Sequence, residues 1–436
     1  MKDRKVFFSY VIPSILSFAL SGVYAIVDGF FVGNTIGDAG LSAINIAYPI
    51  VALIQSIGTG IGLGAAVRYS INMAEKKEKN AKEYIAGAMW LFLILGIILT
   101  FIIYVSAENL LGILGAKEQL LTLGTEYIKI IAIGTMLQLL GTGLVPLMRN
   151  FDGALWAMIA MISGFITNII FDYVLVWVYS LGITGAAIAT LLGQGVTMIV
   201  ALFYCILKKK ITFHLQLQNI STVFKSIFKI GLAPFGLAMT PNISLIIINR
   251  FSALYGGEIA IATYACIAYI ICIIYLILQG VGDGIQPLMS KFYGSGETNR
   301  LNYINILAYK FSILLALIGV VLLWLTKSKI GLLFGTSYEV NTEISNIMPI
   351  FLVSVPCVAI TRIATSRFYA TEKSIFSYIL TFIEPILMLI LMIILPPILG
   401  GQIMIWWSTV FARIITAIIA ILLTAVNNKD YVSTNS

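Results

Sequence analysis

Apolar runs of about 20 residues follow one another from end to end of this chain, separated by short polar breaks. A helix needs about that length to cross the hydrocarbon core of a bilayer. The runs lack the strict alternation of a barrel strand, so they predict membrane-spanning helices. Twelve are expected, at about 8–33, 46–73, 84–106, 127–148, 155–180, 184–207, 231–254, 260–290, 303–325, 344–368, 374–397 and 403–426. An even number puts both termini on one side. The expected fold class is therefore an all-α integral membrane protein.

Composition agrees, with 60% hydrophobic and 11% charged residues, against about 25% charged in a soluble domain. The start, Met-Lys-Asp-Arg-Lys, resembles a signal n-region. The apolar run behind it is too long and no small-residue cleavage site follows, so a retained first helix is expected. Cys205, Cys266, Cys272 and Cys357 form no CxxC pair and read as small apolar fillers.

The net charge of +8 first suggests nucleic acid, but its distribution argues otherwise. With the N-terminus in the cytoplasm, that side holds Lys2, Arg4, Lys5, Lys76, Lys77, Lys79, Lys82, Arg149, Lys208, Lys209, Lys210, Lys225, Lys229, Lys291, Arg300, Arg367, Lys373 and Lys429. The outer side receives only Lys117, Arg250, Lys327 and Lys329. This is the positive-inside asymmetry of a multi-pass plasma-membrane protein, with both termini cytoplasmic and anionic lipid on the inner leaflet. No nucleic-acid partner is expected, and the chain is expected to work as a monomer.

The longest polar break, 208–230, divides the chain almost in half. Its second part, Val223 to Ile230, predicts a short amphipathic helix on the inner membrane surface. The two sides of the break look alike. "QSIGTG" at Gln55–Gly60 matches "QGVGDG" at Gln279–Gly284 at an offset of 224. "VIPSIL" at 11–16 matches "LAPFGL" at 232–237 at an offset of 221. A duplication of six helices follows: an N-lobe at 1–207, a linker at 208–230 and a C-lobe at 231–436. The halves should be related by a two-fold axis along the membrane normal, with a cleft between them.

Four carboxylates fall inside the predicted spans: Asp28, Asp172, Asp283 and Glu384. A charge there costs about 2.5–3.5 kcal/mol on insertion scales, so it faces a cavity or a partner. Pairing with an arginine or lysine of another helix is the plain alternative, and it has most weight for Asp283 and Glu384. Asn168 and Asp172 are four apart and share a helix face. Thr190 on the next helix adds a hydroxyl. With Asp28 these make a candidate set of hard oxygen donors for Na⁺, or for a shared proton. Tyr24, Phe31, Gln55, Asn249 and Gln279 are candidates to line a substrate cavity with Asp283 and Glu384. Arg68, Arg362 and Arg413 are expected near helix ends or snorkelling. The glycine-rich stretch from Gly58 reads as close helix packing, since no P-loop lysine follows.

Three stretches together resemble the multidrug and toxin extrusion (MATE) family: "VDGFFVG" in the first span, the Asn168/Asp172 pair in the fifth, and "GVGDGIQPLMSKFYGSGE" in the eighth. The resemblance covers essentially the whole chain. It implies a V-shaped pair of six-helix bundles that exports organic cations or amphipathic compounds, driven by entry of Na⁺ or H⁺ and with no cofactor. In the branch resembling DNA-damage-inducible transporters, an N-lobe cation site would fall on Asp28, Asn168, Asp172 and Thr190. Another branch uses acids in the seventh and tenth spans. This chain has Asn249 in the seventh, aligned with Asp28 across the repeat, and no acid within 344–368. A flippase for a lipid-linked saccharide is the alternative; the surplus of acids over cavity cations speaks for cationic cargo instead. An enzyme is not expected: the one histidine, His214, lies outside the spans.

Overall fold

Lipid tails are as apolar as leucine, so helices in a bilayer associate by close packing and buried polar contacts rather than by escape from water. The architecture of this chain follows from where those contacts fall. The structure, a computed structural model, describes residues 2–433. Of Ala25, Asp38, Leu333 and residues 428–433 only the backbone is described, so the side chain of Lys429 lies outside it. The described residues contain no strand.

Twelve spans are present when two bent pairs are each counted once. They are α1 Lys2–Gly37, α2 Ala39–Ala74, α3 Glu78–Ile113, α4 Glu118–Ile133 with Thr135–Asn150, α5 Ala154–Val178 and α6 Gly182–Leu207. The second half follows with α7 Leu217–Tyr255, α8 Gly257–Gly294, α9 Thr298–Leu332, α10 Tyr338–Leu352 with Val355–Ala370, α11 Ser374–Leu399 and α12 Gln402–Asn427. The bend in α4 is 61° and falls at Gly134. The bend in α10 is 45°, just before Pro356, which cannot donate a helical hydrogen bond.

Two local expectations change. No loop separates α1 from α2: only Gly37 leaves the helix, at φ 77° and ψ −169°, a conformation that suits glycine. The expected surface helix at Val223–Ile230 instead forms the first turns of a helix running without a break from Ile220 to Tyr255. Val223 and Ile227, four apart, turn inward. Val223 meets Gly87 of α3, and the Ile227 carbonyl meets Gly64 of α2. A face that reads as membrane-binding is used to pack the second half onto the first.

One buried core gathers residues of α1 to α6, and another gathers α7 to α12. A third, with Phe7, Val11, Val67, Ile230, Val281 and Ile285, draws on both halves. Glycines set the distance there. A β-carbon added at Gly60 of α2 would lie 2.9 Å from the Gly231 carbonyl oxygen of α7. One added at Gly284 of α8 would lie 3.1 Å from the Tyr10 carbonyl oxygen of α1. Shifted by the repeat offsets of 224 and 221, Gly60 and Tyr10 become Gly284 and Gly231. The seam is one contact made twice, as a two-fold duplication requires.

Among the described residues, the polar contacts between the lobes all lie toward the membrane side that carries the termini. Arg149 of α4 meets Asp283 of α8 at 3.4 Å, both at most 5% exposed. Asn150 and Gln286 exchange amide hydrogen bonds of 2.8 and 3.2 Å. Arg68 pairs with Glu372 and donates to Ser226, and Arg300 pairs with Asp3. In the opposite half, α2 and α8 carry the exposed Tyr48 and Tyr269. The lobes are held together at the terminal side and leave these aromatic side chains exposed at the other. Arg149 and Arg367, counted above with the cytoplasmic charges, are enclosed in protein at that end of their helices.

Replacing Gly60 with leucine should push α2 off the α7 backbone. Spin labels at the exposed Lys79 and Asn299 should then move apart by several ångströms; an unchanged distance would remove the seam as the spacing element. Arg149→Leu leaves Asp283 buried without its cation, at a cost of about 3–5 kcal/mol. A lower thermal midpoint is expected, largely recovered in the double variant Arg149→Leu/Asp283→Leu.

Candidate ion and substrate sites

α1 passes α5 in the half of the N-lobe away from the seam. Tyr24 and Asp28 lie one helical turn apart on α1, and Asn168 and Asp172 one turn apart on α5. α5 packs tightly on α6 because Gly164 and Gly193 face each other: a β-carbon on either would lie 2.7–2.8 Å from the other's carbonyl oxygen. The same contact sets Asn168 against α6 beside Gly193. Asp172 begins a stretch, Asp172–Val178, in which α5 widens into a π-helix, a local distortion often found at functional positions.

The four donors read from the sequence come together. The carboxyl groups of Asp28 and Asp172 reach hydrogen-bonding range of each other. Asn168 and Thr190 line one small cleft with Tyr24, Gln194 and Thr197. Asp172 is fully buried and Asn168 nearly so. Neither Asp172 oxygen, and neither polar atom of the Asn168 amide, has a hydrogen-bond partner. Buried polar atoms are almost always satisfied, so such a group of orphans marks a place for something that supplies positive charge. Two facing carboxylates ask for a proton or a cation between them. The donors are two carboxylates, an amide oxygen and a hydroxyl, all hard oxygens. No group of three or more His, Cys, Asp or Glu gathers here or elsewhere among the described residues.

The sequence reading missed Tyr127. It lies on α4, buried, with its hydroxyl in hydrogen-bonding range of Thr190 and its ring close to both carboxylates. It stands at the edge of the expected fourth span, but α4 begins nine residues earlier. Only the packing of α4 on α6 brings it in. Tyr24 stacks on Phe165 at 5.2 Å. Phe31 packs with Phe30, Tyr173 and Trp177 over the end of α5, covering the cluster on that side.

The C-lobe differs. Asp283 is enclosed by Arg149, Gln279 at 2.7 Å and Tyr369 at 3.3 Å, so it belongs to the lobe junction and not to an open cavity. Gln279 is its hydrogen-bond donor. Glu384 pairs with Arg413 at 3.2 Å. Arg413 also donates to the Tyr275 hydroxyl at 2.8 Å and to Ser354 at 3.3 Å. Arg413 therefore lies in the middle of α12 in a buried network, not at a helix end. Arg362 lies within α10, at the centre of the C-lobe. Arg68 is near the end of α2, as expected, but bridges the lobes. Tyr264 is a core residue, stacked on Trp406. Gln55 and Asn249 are half-buried, and the Asn249 side-chain oxygen has no partner. The surplus of acids that favoured cationic cargo disappears on this side, since each acid has its own arginine.

Comparison with known proteins identifies the family. The MatE family model matches residues 13–174 and 237–394, one stretch in each half. The chain is 23% identical to the multidrug export protein MepA of Staphylococcus saprophyticus, over 97% of this chain and 96% of that one. It is 24% identical to MepA of Staphylococcus haemolyticus, over 96% and 95%. Among solved structures, a MOP superfamily transporter from Pyrococcus furiosus, described as having a binding pocket of reversed polarity, superposes with a TM-score of 0.90 at 20% identity. That match covers 98% of this chain and 96% of the other. With a matching model in each half and two lobes of six spans, the chain belongs to the MATE family of multidrug efflux transporters.

Proposed function

We propose that this protein is a secondary antiporter that exports amphipathic small molecules by alternating access, driven by Na⁺ or H⁺ entering at Asp28, Asn168, Asp172 and Thr190. The observation that carries this reading is the pair of facing carboxylates whose neighbours offer no hydrogen-bond donor to Asp172. Membership of the family makes the chain a transporter and not an enzyme. The curated relatives named for multidrug export support a chemically varied cargo. With the terminal side in the cytoplasm, the conformation described above is open to the outside.

α1 offers the coupling element. Its first half packs against α8, where Ile15 lies under Gly280 and Val11 under Gly284. Its second half holds Asp28 against Asp172. A cation drawn between the two carboxylates fixes α1 on α5. Losing that cation frees two like charges to separate, and α1 carries the change to the seam. Each ligand moves this equilibrium only by the difference between its affinities for the two states. Cation and cargo must therefore alter each other's binding by the same factor. Tyr127 holds Thr190 toward the cluster from the outside.

In proteoliposomes, one gradient alone, of Na⁺ or of pH, should drive transport, and Asp28→Asn should abolish that dependence while the protein stays folded. Wild-type coupling in Asp28→Asn would overturn the assignment. Tyr127→Phe takes a hydroxyl away from Thr190, a contact worth about 1 kcal/mol. It should raise the concentration of coupling ion needed for half-maximal transport about fivefold and leave cargo affinity unchanged when no coupling ion is bound.

A further inference from the structure

Among the described residues, Arg362 forms no ion pair. α10 is surrounded by α7, α8, α9, α11 and α12. Arg362, on its Val355–Ala370 half, is only partly buried, and its neighbour Cys272 of α8 is exposed. The acids nearest to Arg362 are Glu384 and Asp283, and both are taken: Glu384 by Arg413 at 3.2 Å, Asp283 by Arg149 at 3.4 Å. Among the described residues no carboxylate lies within 4.0 Å of the Arg362 guanidinium. Two neutral pairs and one lone arginine leave this wall with one positive charge.

One aromatic ring lies beside it and two more lie on the way to it. Tyr275 and Cys272 of α8 are its neighbours, and Tyr275 lies under Arg413 at 5.0 Å. Tyr269 of α8 and, from the other lobe, Tyr48 of α2 are exposed on the approach to Cys272. A lone charge at membrane depth is costly. A guanidinium has a planar fork of donors that fits a carboxylate, sulfonate or phosphate with two parallel hydrogen bonds.

We propose that Arg362 is an anion subsite of the cargo cavity, taking the acidic group of an amphiphile whose aromatic body lies against Tyr275, Tyr269 and Tyr48. The proposal rests on the export reading and sharpens it. The N-lobe wall holds the coupling cation, and the C-lobe wall selects cargo that carries a negative charge, organic anions and zwitterions.

Two xanthene dyes of opposite charge test this: carboxyfluorescein, an anion, and rhodamine 6G, a cation. Binding is read by fluorescence anisotropy on the purified transporter in phosphatidylcholine nanodiscs. The wild-type protein should bind carboxyfluorescein, and Arg362→Gln should weaken that binding at least tenfold without weakening rhodamine 6G. Inorganic sulfate should displace carboxyfluorescein from the wild-type protein but not rhodamine 6G, a measurement that needs no variant. If phosphatidylglycerol in the nanodisc displaces the anion in an Arg362-dependent way, the subsite stands and a lipid phosphate is its source. Unchanged carboxyfluorescein affinity in Arg362→Gln, sulfate displacing neither dye, or binding of rhodamine 6G alone would each overturn the proposal. Asp28→Asn separates the two readings: it should lose gradient-driven transport, while sulfate should still displace carboxyfluorescein from it.

Discussion

Close backbone contacts hold the lobes together, and the two that repeat each other exist because a side chain is missing. Gly60 lets α2 reach the α7 backbone, and Gly284 lets α8 reach that of α1. Helices of 36 to 38 residues are more than 50 Å long. When such helices touch near one end and cross at an angle, they part at the other. The cleft is thus a geometric result of the seam. The polar contacts nearby, Arg149 with Asp283 and Asn150 with Gln286, are possible only where the glycines have already brought the backbones close enough to exclude water.

The spans were legible in the sequence because length and apolarity are local properties. So were the four donors of the ion cluster: Asn168 and Asp172 announce themselves by helical spacing, Asp28 by its isolation and Thr190 by its place on the next helix; Tyr127 did not. Partners were not legible. Arg149 lies 134 residues from Asp283, and Arg413 lies 29 from Glu384 across a whole helix turn-around. No periodicity records such pairings, so the sequence could suggest that the two C-lobe acids pair but not name their arginines. The amphipathic face at Val223 and Ile227 failed for a related reason. Its pattern specifies an apolar neighbour without saying whether that neighbour is lipid or the glycine faces of α2 and α3.

The duplicated halves have kept their frame and exchanged their chemistry. Asn249 stands where the other half has Asp28. In α11, Glu384 is neutralised by Arg413, whereas Asp172 in α5 has no such partner. One half thus holds acids short of positive charge, and the other an arginine short of negative charge. A two-fold frame with opposite needs on its two walls lets one cavity receive two unlike solutes without a separate site evolving for each.

Gly37 links this division to movement. It is the single non-helical residue between α1 and α2, and its φ of 77° fixes how the two helices meet. A connection this short leaves no slack. Any swing of the outer end of α1 has to drag the start of α2 with it, and Tyr48 rides only eleven residues further along. Under the proposed coupling, a displacement that begins with a monovalent ion at one helix would thereby reshape the aromatic surface offered to the passenger, with the peptide chain itself as the lever.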